Sequence, residues 1–170
     1  MKNFEFEHDG KTYWYSRSIA CIGFIFAYDK KEEKYILAIK RGSAITNTGK
    51  WSVPGGYLDH DETLKECLFR EVYEETGIDL KDLIDFKMPC QLIKINDVPN
   101  TKKQNVVFDY CCVLPQYIEN YNITNKHAEP NEIDEVRWIK LSEIDSFNWA
   151  FDVKNKINNA IMSLKYDNLI

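Results

Sequence analysis

The chain has 170 residues, of which 44% are hydrophobic, 14% aromatic and 29% charged, and its formal net charge is -5. That length and apolar content suffice for one domain with a sizeable core, while no apolar run approaches the ~18 residues that a membrane span needs. The acidic balance argues against duplex nucleic acid as a partner, because neutralising its phosphates takes clustered Lys and Arg. A small anion stays open if a divalent cation sits between the two.

The chain begins Met1-Lys2-Asn3-Phe4-Glu5, with acidic residues where an export or import signal carries apolar or Arg-rich sequence, so a soluble protein with a cytoplasmic address is expected. Phe4-x-Phe6-x-His8 and Lys11-Thr12-Tyr13-Trp14-Tyr15 flank Asp9-Gly10, a dipeptide suited to a type I′ turn, which predicts a hairpin within residues 1–16. Ile19 to Tyr28 and Tyr35 to Ile39 are apolar runs separated by a charged turn and predict core strands. Gly42 to Lys50 is polar and predicts a loop. Trp51-Ser52-Val53-Pro54 predicts a short strand stopped by proline, followed by a flexible Gly55-Gly56 pair.

Thr63-x-x-Glu66 fits a capping box and Gly77 stands where a left-handed C-terminal residue is wanted, so a helix is predicted from about Leu64 to Thr76. Strands are predicted again at Cys90 to Ile95, Val106 to Leu114 and Glu135 to Lys140, with a long loop from Pro115 to Asn131. Val153, Ile157, Ile161 and Leu164 recur at helical spacing and predict a closing amphipathic helix over about Asp152 to Lys165. Nothing reads as a repeat or a linker, so a single α/β domain is expected over residues 1–170. The five cysteines (Cys21, Cys67, Cys90, Cys111 and Cys112) form no C-x-x-C pair and read as reduced, mostly buried thiols. His8, His60 and His127 are isolated in sequence and read as ordinary surface residues.

The helix from Leu64 to Thr76 carries the strongest signal. At about 100° per residue, Leu64, Cys67, Leu68 and Val72 form one inward stripe, with Phe69 and Tyr73 on the other side. Glu71 and Glu75 point within about 20° of Leu64, and Glu74 within about 80°, so the inward face turns acidic in its second half. An ordinary solvated face would lie opposite the apolar stripe. These acids continue it, although they repel one another and crowd the helix C-terminus, where the macrodipole disfavours negative charge. One guanidinium, Arg70, cannot neutralise the set. A hard divalent cation can, and carboxylates with no interleaved His or Cys select Mg²⁺ or Mn²⁺. Such a site suits water attack on phosphorus, with cations stabilising the leaving phosphate oxygen.

The same residues match a known pattern. Gly56, five residues, Glu62, seven residues, then Arg70-Glu71-Val72-Tyr73-Glu74-Glu75-Thr76-Gly77-Ile78 meets every defined position of the Nudix box, G-x5-E-x7-R-E-U-x-E-E-x-G-U, where U is bulky and apolar. Trp51-x-x-Pro54-Gly55-Gly56 before the box and Glu135-Val136-Arg137-Trp138 after it also resemble the Nudix hydrolase family. The resemblance implies an α/β/α sandwich around a mixed sheet, with the box from Gly56 to Ile78 as a loop-helix-loop holding one to three divalent ions. It implies Glu74 and Glu75 as principal metal ligands, Glu71 as ligand or base, Arg70 as the residue orienting them, and Glu62 as mainly structural with some share in the metal site. The Gly55 carbonyl resembles a further ligand. An acid outside the box is expected to serve as ligand or base, with Glu132 preferred over Glu129 and Glu135. Arg17, Lys40 and Arg41 are the candidate phosphate contacts.

The expected activity is hydrolysis of a phosphoanhydride in a small nucleoside diphosphate derivative, with an ADP-ribose-like or nucleoside triphosphate substrate favoured. A homodimer is compatible with this reading. A nucleotide-sensing module of the same fold, weak or inactive in catalysis, is the alternative, and turnover with Mg²⁺ separates the two. An RNA-decapping role fits less well, because the chain is acidic and has no basic stretch.

Overall fold

The computed structural model describes residues 3–81, 83, 90–99 and 104–166. The first two residues of the expected hairpin segment and the last four of the expected domain lie outside this set.

Strands β1 (Phe4–His8) and β2 (Lys11–Tyr15) form the predicted hairpin, with Phe4 opposite Tyr15 and Phe6 opposite Tyr13. Asp9 and Gly10 have φ of 50° and 70°, the doubly left-handed turn that matches strand twist. The other strands are β3 (Ile19–Tyr28), β4 (Lys34–Arg41), β5 (Trp51–Ser52), β6 (Gly55–Tyr57), β7 (Cys90–Asn96), β8 (Val106–Tyr117) and β9 (Ile133–Lys140). Among the described residues they make one mixed sheet in the order β5-β4-β3-β8-β7, with β6 on β3 and β9 on β4. Only β3 and β8 run parallel, from Ile19 opposite Val106 to Phe26 opposite Val113.

Helix α1 (Leu64–Thr76) covers one face and α2 (Val153–Tyr166) the other. Strand β3 shows why both are needed. Phe24 and Phe26 pack under α2 with Ile157, Ala160 and Leu164, whereas Cys21, Ile25 and Ala27 pack under α1 with Cys67, Leu68 and Val72. A strand buried on both faces reads as a continuous apolar run, which is what Ile19 to Tyr28 shows. The architecture is therefore an α/β/α sandwich.

The feature that makes room for a site is a fork in the sheet. Antiparallel β3 and β4 pair only near their connecting turn, from Phe26 opposite Ile36 to Tyr28 opposite Lys34. Farther out they diverge, and the segment from Trp51 to Tyr57 fills the gap: β5 pairs with β4, and β6 pairs with β3 from Ile22 opposite Gly55 to Ala20 opposite Tyr57. The Gly55-Gly56 pair, expected to be flexible, is thus held as a strand by ladder hydrogen bonds.

Helix α1 has the boundaries its caps predict. The Thr63 hydroxyl accepts from the Glu66 N–H, the Glu66 carboxylate accepts from the Thr63 N–H, and Gly77 closes the helix at φ 76°. The helix's buried face is wider than the stripe read from the sequence. Phe69, placed on the far side by the wheel, is only 7% exposed and shares a buried cluster with Ile78, Leu80 and Leu83. Strand β8 likewise runs on to Tyr117 and is followed by a 3₁₀ turn at Ile118–Asn120, so the long loop is shorter than expected; a second 3₁₀ turn, Leu141–Ser146, has no sequence signal.

The cysteines require one correction. Cys21, Cys67 and Cys111 are buried free thiols, but Cys90 and Cys112 form a disulfide across β7 and β8, where they are direct ladder partners. A count of cysteines cannot foresee which strands pair. The exposed histidines pack on aromatic rings, His60 edge-on to Tyr13 and His127 stacked on Tyr73. Thr63→Ala removes half of the capping box and is expected to cost about 1 kcal/mol of stability. Urea denaturation measures it, and an unchanged midpoint would mean that tertiary packing alone sets the helix start.

Candidate functional site

The second half of α1 aims its acids at the fork. Glu75 is 4% exposed, and its Oε2 accepts the Gly55 N–H at 2.8 Å. Gly55 has φ 151°, and a Cβ there would lie 2.3 Å from the Cys21 carbonyl oxygen, so only glycine lets β6 lie this close to β3. Gly56 has a different reason. A Cβ at Gly56 would lie 2.3 Å from Glu71 Oε1, so its missing side chain is the space the Glu71 carboxylate occupies.

Arg70 organises the other acids. Its Nε and Nη2 donate to the two oxygens of Glu62 at 3.0 and 2.8 Å, Nη1 donates to Glu71 at 2.8 Å and Glu74 at 3.1 Å, and Nη2 also reaches the Tyr57 carbonyl at 2.9 Å. This bidentate fork holds Glu62 down at about 2. Glu71 goes the other way, pushed up to about 7: burial outweighs the attraction of Arg70, and Glu74 and Glu132 add repulsion. Glu75 is raised well above the carboxylate range, first by burial and then by Glu71 and Glu132, with the Gly55 N–H and Arg41 opposing. One cation is shared among too many carboxylates.

A cleft of about 550 Å³ opens from this point over the α2 side of the sheet. Glu75, Gly55, Gly56, Glu132 and Arg41 line one part of it, and Ala20, Ile22, Val107, Phe151 and Lys156 line another. Glu132 enters from the loop before β9, where its carbonyl accepts the Gly42 N–H at 2.7 Å. Glu129 is exposed, and Glu135 is taken up by Arg137. Among Arg17, Lys40 and Arg41, only Arg41 lines the cleft. Its Nε donates to the Thr46 carbonyl at 2.7 Å and its guanidinium lies 5.1 Å from the Phe151 ring centre. Arg17 instead clamps the Gln104 and Asn105 carbonyls at 2.8 and 2.9 Å, tying the start of β3 to the segment before β8, while Lys40 lies in the ladder between Trp51 and Glu135.

Comparison with known proteins identifies the whole arrangement. The family model described as NUDIX domain matches residues 19–159, which spans every strand of the main sheet, α1 and the first half of α2. The chain belongs to the NUDIX family. The mRNA-decapping enzyme subunit 2 of Saccharomyces cerevisiae is 31% identical over 117 residues, 69% of this chain and 11% of that protein. The chain spans between 11% and 58% of the length of the curated relatives it matches first. Among solved structures, the NUDIX domain of Shewanella oneidensis NrtR, crystallised with ADP ribose, superposes with a TM-score of 0.69 at 19% identity, covering 88% of this chain and 90% of that one. A bifunctional NMN adenylyltransferase/ADP ribose pyrophosphatase of Francisella tularensis, crystallised with AMP and a manganese ion, gives a TM-score of 0.66 at 23% identity over 89% of this chain and 42% of that one. At these identities the structures establish the NUDIX fold.

The NUDIX acids suit a hard cation by their chemistry. Buried carboxylates that repel one another, with one guanidinium between them, are stabilised by a second positive charge. Among the described residues no three acidic, His or Cys side chains are gathered closely enough to enclose an ion, since Arg70 draws Glu71 and Glu74 to itself. Glu74, 43% exposed at its side chain, has the freedom to turn. Four cleft features carried no clear signal in the sequence: Phe151, Asp152, Asn105 and Lys156. All four lie away from the box, in segments without a motif. Arg70→Met, by removing charge-assisted hydrogen bonds, is expected to cost about 2 kcal/mol in metal-free buffer. A urea midpoint equal to the parent's in EDTA would show that this guanidinium does not hold the acids together.

Proposed function

We propose that this chain is a Mg²⁺- or Mn²⁺-dependent pyrophosphohydrolase acting on a nucleoside diphosphate derivative, with water as the nucleophile at phosphorus. The observation that carries the reading is Glu75 in the cleft wall against the Gly55 N–H, with Glu71 against Gly56 and Glu74 beside it on Arg70, and too little positive charge among them. Family membership supports the same class, as does the manganese ion bound by the Francisella tularensis protein.

Glu74 and Glu75, with Glu71 and the Gly55 carbonyl, are the residues that would hold one to three such ions, with Glu62 contributing through Arg70. A bound divalent ion lowers the pKa of a coordinated water and neutralises charge on the phosphates. The chain's own residues do the rest. Arg70 fixes the rotamers of Glu62, Glu71 and Glu74. Arg41, lining the cleft beside Glu75 and Glu132, offers its guanidinium to a phosphate oxygen; Lys40 and Arg17 are secondary candidates, since neither lines the cleft. Glu132, entering the cleft from a separate loop, would take a proton from the attacking water.

An ADP-ribose-like compound or a nucleoside triphosphate is the favoured substrate, in keeping with the size of the cleft and the ADP ribose held by the NrtR domain. The likeness to the yeast decapping subunit favours a second reading, a capped RNA 5′ end, against which the net charge of -5 stands. A sensing role without turnover stays the alternative to both. Among the described residues no helix is long and apolar enough to cross a membrane. A cytoplasmic address and a single domain over the whole chain remain part of the proposal, as does a homodimer.

A panel of nucleoside triphosphates, dinucleotides, nucleotide sugars and capped RNA, incubated with Mg²⁺ or Mn²⁺ and analysed by mass, identifies the substrate and the bond cleaved. No turnover of any member would favour sensing. Glu74→Gln and Glu75→Gln are each expected to lower kcat by several powers of ten while the protein still melts cooperatively; near-parental rates in both would refute the ligand assignment. Glu132→Gln is expected to lower kcat about a hundredfold with metal affinity retained. If metal binding weakens in parallel, Glu132 is a ligand and not the base.

A further inference from the structure

One ion pair at the cleft wall is unexplained by phosphate chemistry: Lys156 lines the cleft and Asp109 lies behind it. Asp109 is 2% exposed on β8, on the α2 face, where Val107, Cys111 and Val113 are its apolar neighbours along the strand. Both of its oxygens are occupied: Oδ1 accepts from Lys156 Nζ at 2.9 Å and Oδ2 from the Asn96 amide at 2.7 Å. Lys156 comes from α2, one helical turn after the buried Val153, and is 22% exposed at the cleft wall. A buried ion pair is no better for stability than an apolar pair of similar volume. Its place at the edge of the cleft gives it another use.

An ammonium has three N–H donors and no acceptor. One is spent on Asp109, which also cancels most of the charge. What is left facing the cleft is a directed donor with little net field, suited to a neutral oxygen and poorly suited to a second phosphate. The surroundings define the rest of the ligand. The same cleft is lined by the apolar Ala20, Ile22 and Val107. At the rim, Phe151 is 59% exposed and held at φ 51°, a left-handed conformation that costs a bulky residue about 1 kcal/mol and is retained where surrounding structure demands it. Register gives the scale: Ile22 lies between Gly55 on one side and Asp109 on the other, so the backbone that holds Glu75 and the backbone that holds Lys156 are two strand spacings apart, roughly 10 Å. A nucleoside spans that distance.

We infer that Lys156, held by Asp109, and Phe151 form a nucleobase subsite selective for bases that carry an oxo group at the edge presented to the cleft wall. Lys156 donates to the oxo oxygen, and Phe151, whose ring centre also lies 5.1 Å from the Arg41 guanidinium, packs against the base. An exocyclic amine in the same place would set donor against donor and leave both unpaired in a desolvated wall. The inference rests on the nucleotide-hydrolase reading for the ligand's class and narrows it to hypoxanthine-, guanine- or uracil-like bases over adenine and cytosine.

The test is equilibrium binding of nucleoside monophosphates to the full chain by calorimetry, without metal. IMP and AMP differ at the 6-oxo and 6-amino position, UMP and CMP at the 4-position. The parent is expected to bind IMP over AMP and UMP over CMP by about tenfold, and Lys156→Met to lose both preferences. If Lys156→Met fails to melt cooperatively, the double variant Asp109→Leu with Lys156→Met removes the pair without stranding a buried carboxylate. Phe151→Leu is expected to weaken IMP and AMP alike by about tenfold. Equal binding within each pair, a preference for the amine, a preference that survives loss of Lys156, or no binding of any monophosphate overturns the subsite. No turnover of any phosphoanhydride compound with Mg²⁺ or Mn²⁺, with these binding preferences intact, would sink the catalytic reading and leave the subsite standing.

Discussion

The organising constraint is electrostatic crowding at one helix end. Glu71, Glu74 and Glu75 occupy the last turns of α1, where the helix dipole, their mutual repulsion and the burial of two of them all disfavour negative charge. Arg70 answers part of this, and its fork is already shared with Glu62. Carboxylates kept buried at such a cost are what the proposed cation would stabilise. The fold supplies every other condition: the capping box fixes where α1 starts, Gly77 fixes where it ends, and the stripe of Cys67, Leu68 and Val72 sets the rotation that turns the acids inward.

The fork between β3 and β4 turns that acidic end into a site. A sheet paired along its full length would leave Glu75 against closed backbone. Because the two strands diverge, Trp51 to Tyr57 enters between them and brings the Gly55 N–H to Glu75 and the bare Cα of Gly56 to Glu71. The opening leads to the α2 side, so the helix that carries the acids and the helix that lines the cleft lie on opposite faces of one sheet. Under the proposed function, reaction chemistry and ligand selection would fall on separate elements. This division is consistent with one family acting on compounds as different as those named for its relatives.

Much of the fold was legible in local pattern. The limits of α1 and β3 follow from caps and from an unbroken apolar run, and the left-handed Asp9-Gly10 turn follows from its two residues. Misreadings occurred where a distant segment decides the outcome. Gly55-Gly56 looks flexible until β3 pairs with it. Phe69 looks exposed until Ile78, Leu80 and Leu83 cluster with it, and Cys90 and Cys112 look unrelated until β7 and β8 lie side by side.

What the sequence by itself determined is the chemistry of the box: the residue types, their spacing on one helix face and the surplus of negative charge, because α-helical geometry converts spacing directly into direction. Tertiary structure alone decided which outside residues meet that face. Arg41 lines the cleft where Arg17 and Lys40 do not, Glu132 enters it where Glu129 and Glu135 do not, and Asp109 finds Lys156 across 47 positions of sequence. Those meetings depend on how strands diverge and loops return, a long-range geometry for which a single sequence has no local period.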